Sequence, residues 1–326
     1  MESIKKIFLG NTKERPVNKL KAGSSWHNWF IYLVLVALVI VFSLLNKHFF
    51  SLTNFGVIGR QTAMVSLIAF GMTFVITAAQ IDLSVGSIVG LVGMTSTMAL
   101  QCGCGIFGAS IVGMLTGTLV GFVNGVITAK LKIPAFLVTL GMLGIARGIS
   151  LTLTGTQTVV VYNKAFPAMW GAGAIYGFPA SVLWVLLFLA ITIIVYDYTV
   201  FGNHVKATGG NIIAAKFSGI NTDGIIIKVL TISGFLSSIA GLLMTARLAA
   251  GRPEVGSGME LDAIAAVILG GTSLFGGRGS IIKTLIGALI MGVISNGLVI
   301  LGLGSSIQMI VKGAIIIAAV SLSEKS

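Results

Sequence analysis

Ten apolar stretches, separated by short polar or glycine-rich gaps, set the first constraint on this chain. They run at about 29–46, 57–79, 83–101, 106–129, 135–154, 180–197, 225–246, 258–272, 281–302 and 305–321. Crossing a bilayer core takes roughly 20 apolar residues at about 1.5 Å of rise each. Most of the runs meet that length. The run at 258–272 is too short to span comfortably and suits a half-helix. The gap at Gln80-Ile81-Asp82-Leu83-Ser84 is an equally abrupt break. The runs are continuously apolar, not alternating strands of about ten residues, which argues against a membrane β-barrel. Charged residues make up only 9% of the chain and apolar residues 56%. A soluble domain carries about 25% charged residues. A soluble enzyme, a DNA-binding module, a coiled coil and a disordered protein are therefore excluded. The expected fold is an all-α polytopic membrane protein of about ten transmembrane helices.

The net charge of +12 is distributed as a membrane protein distributes it. Lys5, Lys6, Lys13, Arg15, Lys19 and Lys21 fill a polar N-terminal arm over residues 1–28. The run at 29–46 reads as a retained first helix, because no small-x-small cleavage site follows it. With ten spans and the N-terminus inside, Lys130, Lys132, Lys206, Lys216, Lys228, Arg278, Lys283 and Lys325 join the arm on the inner side. Lys47, Arg60, Lys164, Arg247 and Arg252 fall outside. The bias toward the inner side puts both termini in the cytoplasm. No basic stripe is interleaved with aromatics, so nucleic acid is not an expected partner. Two longer connections remain. The outer one, 155–179, carries Tyr162, Trp170, Tyr176 and Pro179. The inner one, 198–224, is polar and contains glycine.

The chain also repeats itself. Gly121-Phe122-Val123-Asn124-Gly125 and Gly292-Val293-Ile294-Ser295-Asn296-Gly297 each place Asn-Gly inside an apolar run. An acidic break lies upstream of each, at Asp82-Leu83-Ser84 and at Glu260-Leu261-Asp262. Five helices per half, over about 29–154 and 180–321, would invert the second copy. Inverted repeats with broken helices at matching positions are typical of transporters. Small-residue membrane helices also resemble one another by composition alone, which is the competing explanation.

Few residues offer chemistry. Gly113, Gly117, Gly121 and Gly125 recur every fourth position and make a smooth face for helix packing. Gly103 to Gly108 matches G-x-G-x-x-G literally but follows no strand, so it is no dinucleotide site. No phosphate-binding G-x-x-x-x-G-K-[ST] is present. Cys102 and Cys104 stand without a nearby His or further Cys. His27, His48 and His204 are scattered. No catalytic residue, metal or cofactor is expected. Carboxylates at bilayer depth are costly and normally face a cavity or a partner. Asp82, Ser84, Asn124, Glu260, Asp262 and Asn296 are therefore the candidates for a polar pathway. Asp82 and Asp262 also fit helix N-caps, and the two roles can coexist. Arg147, inside the run at 135–154, either meets an acidic partner or snorkels. In the inner connection, Asn211 fits the N-cap of a helix of about two turns ending at Gly219. Such a segment suits docking to another protein, or is an ordinary linker.

These residues carry a resemblance. Gly71-Met72-Thr73-Phe74-Val75-Ile76-Thr77 with Ile81 to Ser87, Gly209-Gly210-Asn211 with Ala214-Ala215 and Ser218-Gly219-Ile220, Glu260 to Gly279, and Asn296-Gly297-Leu298 with Gln308-Met309 occur in that order. The chain resembles the permease subunits of bacterial ABC importers for monosaccharides, of the ribose-permease type, from about residue 49 to 321. The resemblance implies a permease in the bacterial cytoplasmic (inner) membrane that does not itself hydrolyse ATP. It implies a dimer of permeases, ATP-binding cassette subunits on the cytoplasmic side, and an extracytoplasmic sugar-binding protein. It makes Gly210, Asn211, Ala214, Ala215, Ser218 and Gly219 a coupling helix for the ATPase, and puts the two acidic breaks along the sugar path. The sequence departs from the pattern at Gln80, where glycine is expected. The outer connection at 155–179 would face the binding protein. Three other readings stay open. They are an ABC permease for another small solute (a sugar-like signal or a branched-chain amino acid), an ion-coupled secondary transporter, and a polytopic membrane enzyme.

Overall fold

The computed structural model describes residues 25–175 and 178–323. The basic arm up to residue 24, Tyr176 and Lys325 lie outside them. Each of the ten apolar runs is a helix. They are α1 (Ser25–Leu45), α2 (Leu52–Thr77), α3 (Val85–Gln101), α4 (Gly105–Leu131), α5 (Ala135–Leu153), α6 (Ala180–Asp197), α9 (Thr222–Leu248), α10 (Met259–Leu269), α11 (Ile281–Ile300) and α12 (Ser305–Ser323). Six of them, α2, α4, α5, α6, α9 and α11, are long and apolar enough to cross a membrane. With its 11 residues α10 is a half-helix.

Two segments depart from the sequence reading. The inner connection 198–224 is mostly helical, with α7 (Val200–Gly210) and α8 (Ile212–Phe217). The outer connection holds short strands. In it, β1 (Val159–Val160) pairs antiparallel with β4 (Ala250–Gly251), and β2 (Ala174–Ile175) pairs with β3 (Phe178–Pro179). Trp170, expected to face a partner from this connection, is instead only 2% exposed. Its indole Nε1 donates to Ser110 Oγ at 2.8 Å, and its ring stacks on Trp184 at 4.6 Å. It pins the connection to α4 and α6, since a buried indole must find both apolar contact and an acceptor.

Helix ends follow local chemistry. Ser51 Oγ accepts from Asn54 N and starts α2 well before its apolar run. Asn221 Oδ1 accepts from Gly224 N and starts α9. The α3–α4 turn uses Gly103 and Gly105 at positive φ, which glycine adopts without strain.

The bundle is organised around α9, which packs on α2, α3 and α4. Glycines permit this. A Cβ at Gly117 would lie 2.6 Å from Ser238 Cβ, and one at Gly125 would lie 2.7 Å from Ile227 Cα. Gly121 and Gly234 face each other across the same seam, a Cβ on Gly121 falling 3.0 Å from Gly234 Cα. Lipid gives no hydrophobic drive between helices, so backbone approach and van der Waals packing must hold them together. The contacts exchange between halves. As α4 packs on α9, so α11 packs on α2, and as α3 packs on α9, so α10 packs on α2. Gly292 of α11 lies against Thr62 of α2.

The seam makes a contrast that mutation can read. Gly121→Val forces α4 and α9 apart against backbone on both sides, at a cost of at least about 2 kcal/mol. We expect a lower unfolding temperature and reduced monodisperse yield in detergent. Gly148→Val on α5, where a Cβ meets nothing within 4 Å, is expected to leave both unchanged.

Candidate functional site

Apart from Asn296, the residues singled out above fall into three separate places. The first is the break between α2 and α3. There α2 ends with Ala79 in the left-handed region at φ 58, with Ala79 N bonding Ile76 O and Gln80 N bonding Val75 O. The chain then runs irregularly to Ser84. Buried backbone without partners is not tolerated at membrane depth. The break meets that demand with side chains. Thr139 Oγ1, from α5, accepts from Leu83 N at 3.1 Å and donates to Ile81 O at 3.2 Å. Asp82 Oδ1 accepts from Ser84 N at 3.0 Å and from Ser84 Oγ at 2.6 Å. Its Oδ2 accepts from Ser233 Oγ of α9 at 2.9 Å. Asn124 Nδ2 of α4 donates to Ser84 Oγ at 2.9 Å. Asp82, Ser84, Asn124 and Ser233 are all fully buried. Asp82 is thus not an N-cap in the sense expected. Ser84 holds the cap position of α3 without a capping bond, and Asp82 braces the break instead. Three acceptors remain without protein partners here, Asn124 Oδ1 itself and the hydroxyls of Ser87 and Ser237, one turn on from Ser84 and Ser233. Gln80 turns back to Ala78 O.

The second place is the start of α10. The acidic pair sits inside the first turn of the half-helix, with Gly258 at the cap position. Asp262 does not cap. Its Oδ2 forms an ion pair with Lys312 Nζ of α12 at 2.7 Å. Glu260 Oε1 accepts from Gly258 N, and its other oxygen lies against Gly86 of α3. Arg147 has neither an acidic hydrogen-bond partner nor a free head. Its Nη1 donates to the carbonyls of Pro253 and Val255, in the segment leading into α10. Gly86, Gly90 and Gly93 make the groove in α3 that takes this segment. Asn296 is buried in α11 with Oδ1 unpartnered, and it joins neither network. Asp82 and Asp262 therefore belong to two distinct sites.

The third place is α8. Asn211 Oδ1 accepts from Ala214 N at 2.9 Å and starts the helix, and Gly219 ends it at φ 83. Its large apolar residues point outward. Phe217 is 90% exposed, with Ile212 and Ile213 also exposed. Gly210, Asn211, Ala214, Ser218 and Gly219 are exposed as well. Ala215 is buried and faces the rest of the chain, so a partner would not touch it. A pocket of about 500 Å³ opens beside Phe217, with Lys132, Lys216 and Asp223 at its edge. Preceding α8, Gly209 lies against Thr77 O, and Gly277 N donates to the same carbonyl at 2.9 Å. A hydrogen bond of 2.9 Å joins Thr77 Oγ1 to Tyr196 Oη. The foot of α8 is therefore joined to the end of α2 that leads into the break.

Among the described residues, no group of three or more His, Cys, Asp or Glu is placed to hold a metal. The profile of the family described as "Branched-chain amino acid transport system / permease component" matches residues 54–320. The chain belongs to this family. Several individual relatives of the permease are close over most of its length. The ribose import permease protein RbsC of Haemophilus influenzae is 41% identical over 292 residues, 89% of this chain and 90% of the relative. The protein of the same name from Bacillus subtilis is 40% identical over 295 residues, 90% and 92% of the two chains. The D-allose transport system permease protein AlsC of Escherichia coli is 37% identical over 299 residues, 91% of each. No solved structure matches the permease.

Ser233 and Thr139 were not among the residues expected from sequence. A hydroxyl on an apolar helix gives no local sign of which distant break it serves. The two can be tested apart from transport. Thr139→Val keeps the shape but strands Leu83 N–H and Ile81 C=O, at about 1–3 kcal/mol for each group. Thermal unfolding in detergent is expected to show a clear loss of stability, restored by Thr139→Ser.

Proposed function

We propose that the chain is the membrane-embedded permease subunit of an ATP-driven importer for a ribose-like monosaccharide. One observation carries the reading. Relatives named as ribose and allose permeases run 37–41% identical to this chain over about nine-tenths of it. They favour a sugar over a branched-chain amino acid, although the family description names the latter. In this reading the permease lies in the bacterial cytoplasmic membrane with both termini in the cytoplasm. It pairs with a second copy of itself, receives solute from an extracytoplasmic binding protein, and leaves ATP hydrolysis to a cassette subunit. Its two halves, about 29–154 and 180–321, are inverted repeats. The exchanged contacts of α4 on α9 and α11 on α2 support that.

The topology then sets the order of the stations. Asn124 lies near the inner end of α4, so the Asp82–Ser84–Asn124 network sits toward the cytoplasm. The half-helix α10 is entered from outside but begins beside Gly86 of α3, so Glu260 lies within a turn of the break, with Asn296 near the outer end of α11. A neutral sugar on this path needs hydrogen-bond partners more than charge. The unpartnered Asn124 Oδ1, Ser87 Oγ and Ser237 Oγ are suited to supply them. On the inner face, α8 is the coupling helix. Its exposed Ile213 and Phe217 enter the ATPase, and Ala215 seats it. Closure of the ATPase dimer moves α8. The Gly209–Thr77–Gly277 junction passes that displacement to α2 and the break, so the pathway opens alternately to each side.

Co-purification from mild detergent tests this reading. Phe217→Glu, at an aromatic contact of hot-spot size, is expected to weaken ATPase association by about 30-fold. The unfolding temperature of the permease should stay unchanged. Proteoliposomes of the complex should accumulate labelled ribose only with ATP and the binding protein. Uptake by the permease alone down an ion gradient would overturn the proposal.

A further inference from the structure

Asp82 is a fully buried carboxylate, and among the described residues no Lys, Arg or His pairs with it. Its donors, Ser84 N, Ser84 Oγ and Ser233 Oγ, are all neutral. The helix ends around it do not supply the missing charge. The amino end of α3 offers about half a positive charge, and the carboxyl end of α2 offsets it with about half a negative one. Across the first turn of α3, the Glu260 carboxylate against Gly86 adds a second negative group. Arg147, which reaches the same region, is bonded to two carbonyls. A buried ion without a counter-charge is strongly unfavourable.

The oxygens beside it are unspent. Asn124 Oδ1, Ser87 Oγ and Ser237 Oγ are buried and without a hydrogen-bond partner. They sit on α4, α3 and α9, three helices that all pack on one another. The Asn124 amide already touches the network, since its Nδ2 donates to Ser84 Oγ. Ser87 and Ser237 stand one turn beyond Ser84 and Ser233, on the same helix faces. The two are level with each other. A Cβ on Gly117 of α4 would lie 2.6 Å from Ser238 Cβ and 3.1 Å from Ile88 Cγ2, the residues that follow them. An ionised carboxylate has about four lone-pair positions. Three donors occupy those of Asp82, so Oδ2 keeps one. Lone pairs without donors, gathered at an uncompensated carboxylate, suit a hard cation. Calcium takes roughly six to eight oxygens, and magnesium keeps several waters. One carboxylate among neutral oxygens balances a single positive charge instead. The helices meet at glycine-close range, which favours a small ion.

We propose that Asp82, Asn124, Ser87 and Ser237 hold a sodium ion at the break, through Asp82 Oδ2, Asn124 Oδ1 and the two hydroxyls. The ion neutralises Asp82 and ties α3, α4 and α9 together. The sequence offered no sign of it, because three of the four ligands are neutral and lie on different helices. The site does not rest on the importer reading. Its three unpartnered oxygens are out of solvent contact in this conformation. A passing sugar would use them only once the break opens and the ion leaves.

Thermal unfolding of the full chain in detergent tests the proposal, in sodium, potassium or N-methylglucamine chloride at equal ionic strength. Sodium alone is expected to give a saturable rise of about 2–4 °C. Asp82→Asn is expected to lose that response. Because Asp82→Asn also alters the break itself, Ser87→Ala and Ser237→Ala carry the decisive comparison. Neither hydroxyl has a protein partner, so both variants should unfold with wild type when sodium is absent. Each is expected to need about tenfold more sodium for half the effect. Asn124→Asp adds a second carboxylate and is expected to confer a calcium response that wild type lacks. Equal rises in any two of the salts would overturn the assignment, as would unshifted sodium titrations in both serine variants. A stability indifferent to every cation would also overturn it, and would leave a proton as the group that neutralises Asp82. That result would leave the importer reading standing. Uptake by the permease alone, driven by a sodium gradient, would instead overturn the importer reading and support the ion site.

Discussion

A chain dissolved in lipid must satisfy its own backbone. Each N–H or C=O exposed to hydrocarbon is penalised by several kcal/mol, so spans are helices and every departure from helix needs a named partner. The irregular segment from Gln80 to Ser84 exists because Thr139 serves Ile81 O and Leu83 N, while the Asp82 carboxylate serves Ser84 N. The non-helical segment from Ala249 to Gly258 exists because β1 pairs with its first residues and Arg147 with two of its carbonyls. The two polar networks of the membrane region thus lie where helix is interrupted. Polarity there is first a structural necessity. Function can use it because the same groups retain spare lone pairs, as Asn124 Oδ1 does.

Close approach of backbones is the second condition. The break at Asp82 is reached by Ser233 only because α9 lies unusually near α2 and α4. That nearness depends on Gly71, Gly117, Gly121 and Gly234, whose Cβ atoms would strike the neighbouring helix. The glycine ladder on α4 is in this sense a part of the site. It sets the distance at which a serine on one helix can hold a carboxylate beside another. Helices α5 and α12 have open glycines at Gly144, Gly148 and Gly313 and stay peripheral.

Which parts of this were legible in the sequence follows from range. The helical runs were legible because apolar length is local, and each of the ten became a helix, six of them long and apolar enough to cross a membrane. The cap at Asn211 and the stop at Gly219 were legible for the same reason. The carboxylates were legible as costly, but not their partners. Asp82 and Asp262 both look like caps in sequence, because an acid before an apolar run is the cap signal. Besides the local Ser84, their partners Ser233 and Lys312 lie on other helices, and nothing local points to those two. Trp170 shows the same limit from the other side. A tryptophan in a long connection reads as exposed until Ser110 and Trp184 are brought to it. Ala215 lies one residue beyond the exposed Ala214, and only the docked orientation of α8 separates the two.

Range also bears on how force could travel in the proposed importer. The path from α8 to the break is short and made of backbone. Gly209 touches Thr77 O, Gly277 N bonds the same oxygen, and five residues further on stands Asp82. Backbone contacts between glycines leave no flexible side chain to absorb displacement, since packed interiors transmit strain. Tyr196 braces the junction through Thr77 Oγ1, and Lys206 of α7 sits over its ring at 4.3 Å while pairing with Asp197. A movement of α7 and α8 would therefore reach α2 before it reached any lipid-facing helix. The Asp82 network would then meet it with four hydrogen bonds spread over α3, α4 and α9. Loss of such a network would be a discrete change, where a hydrophobic joint would yield continuously.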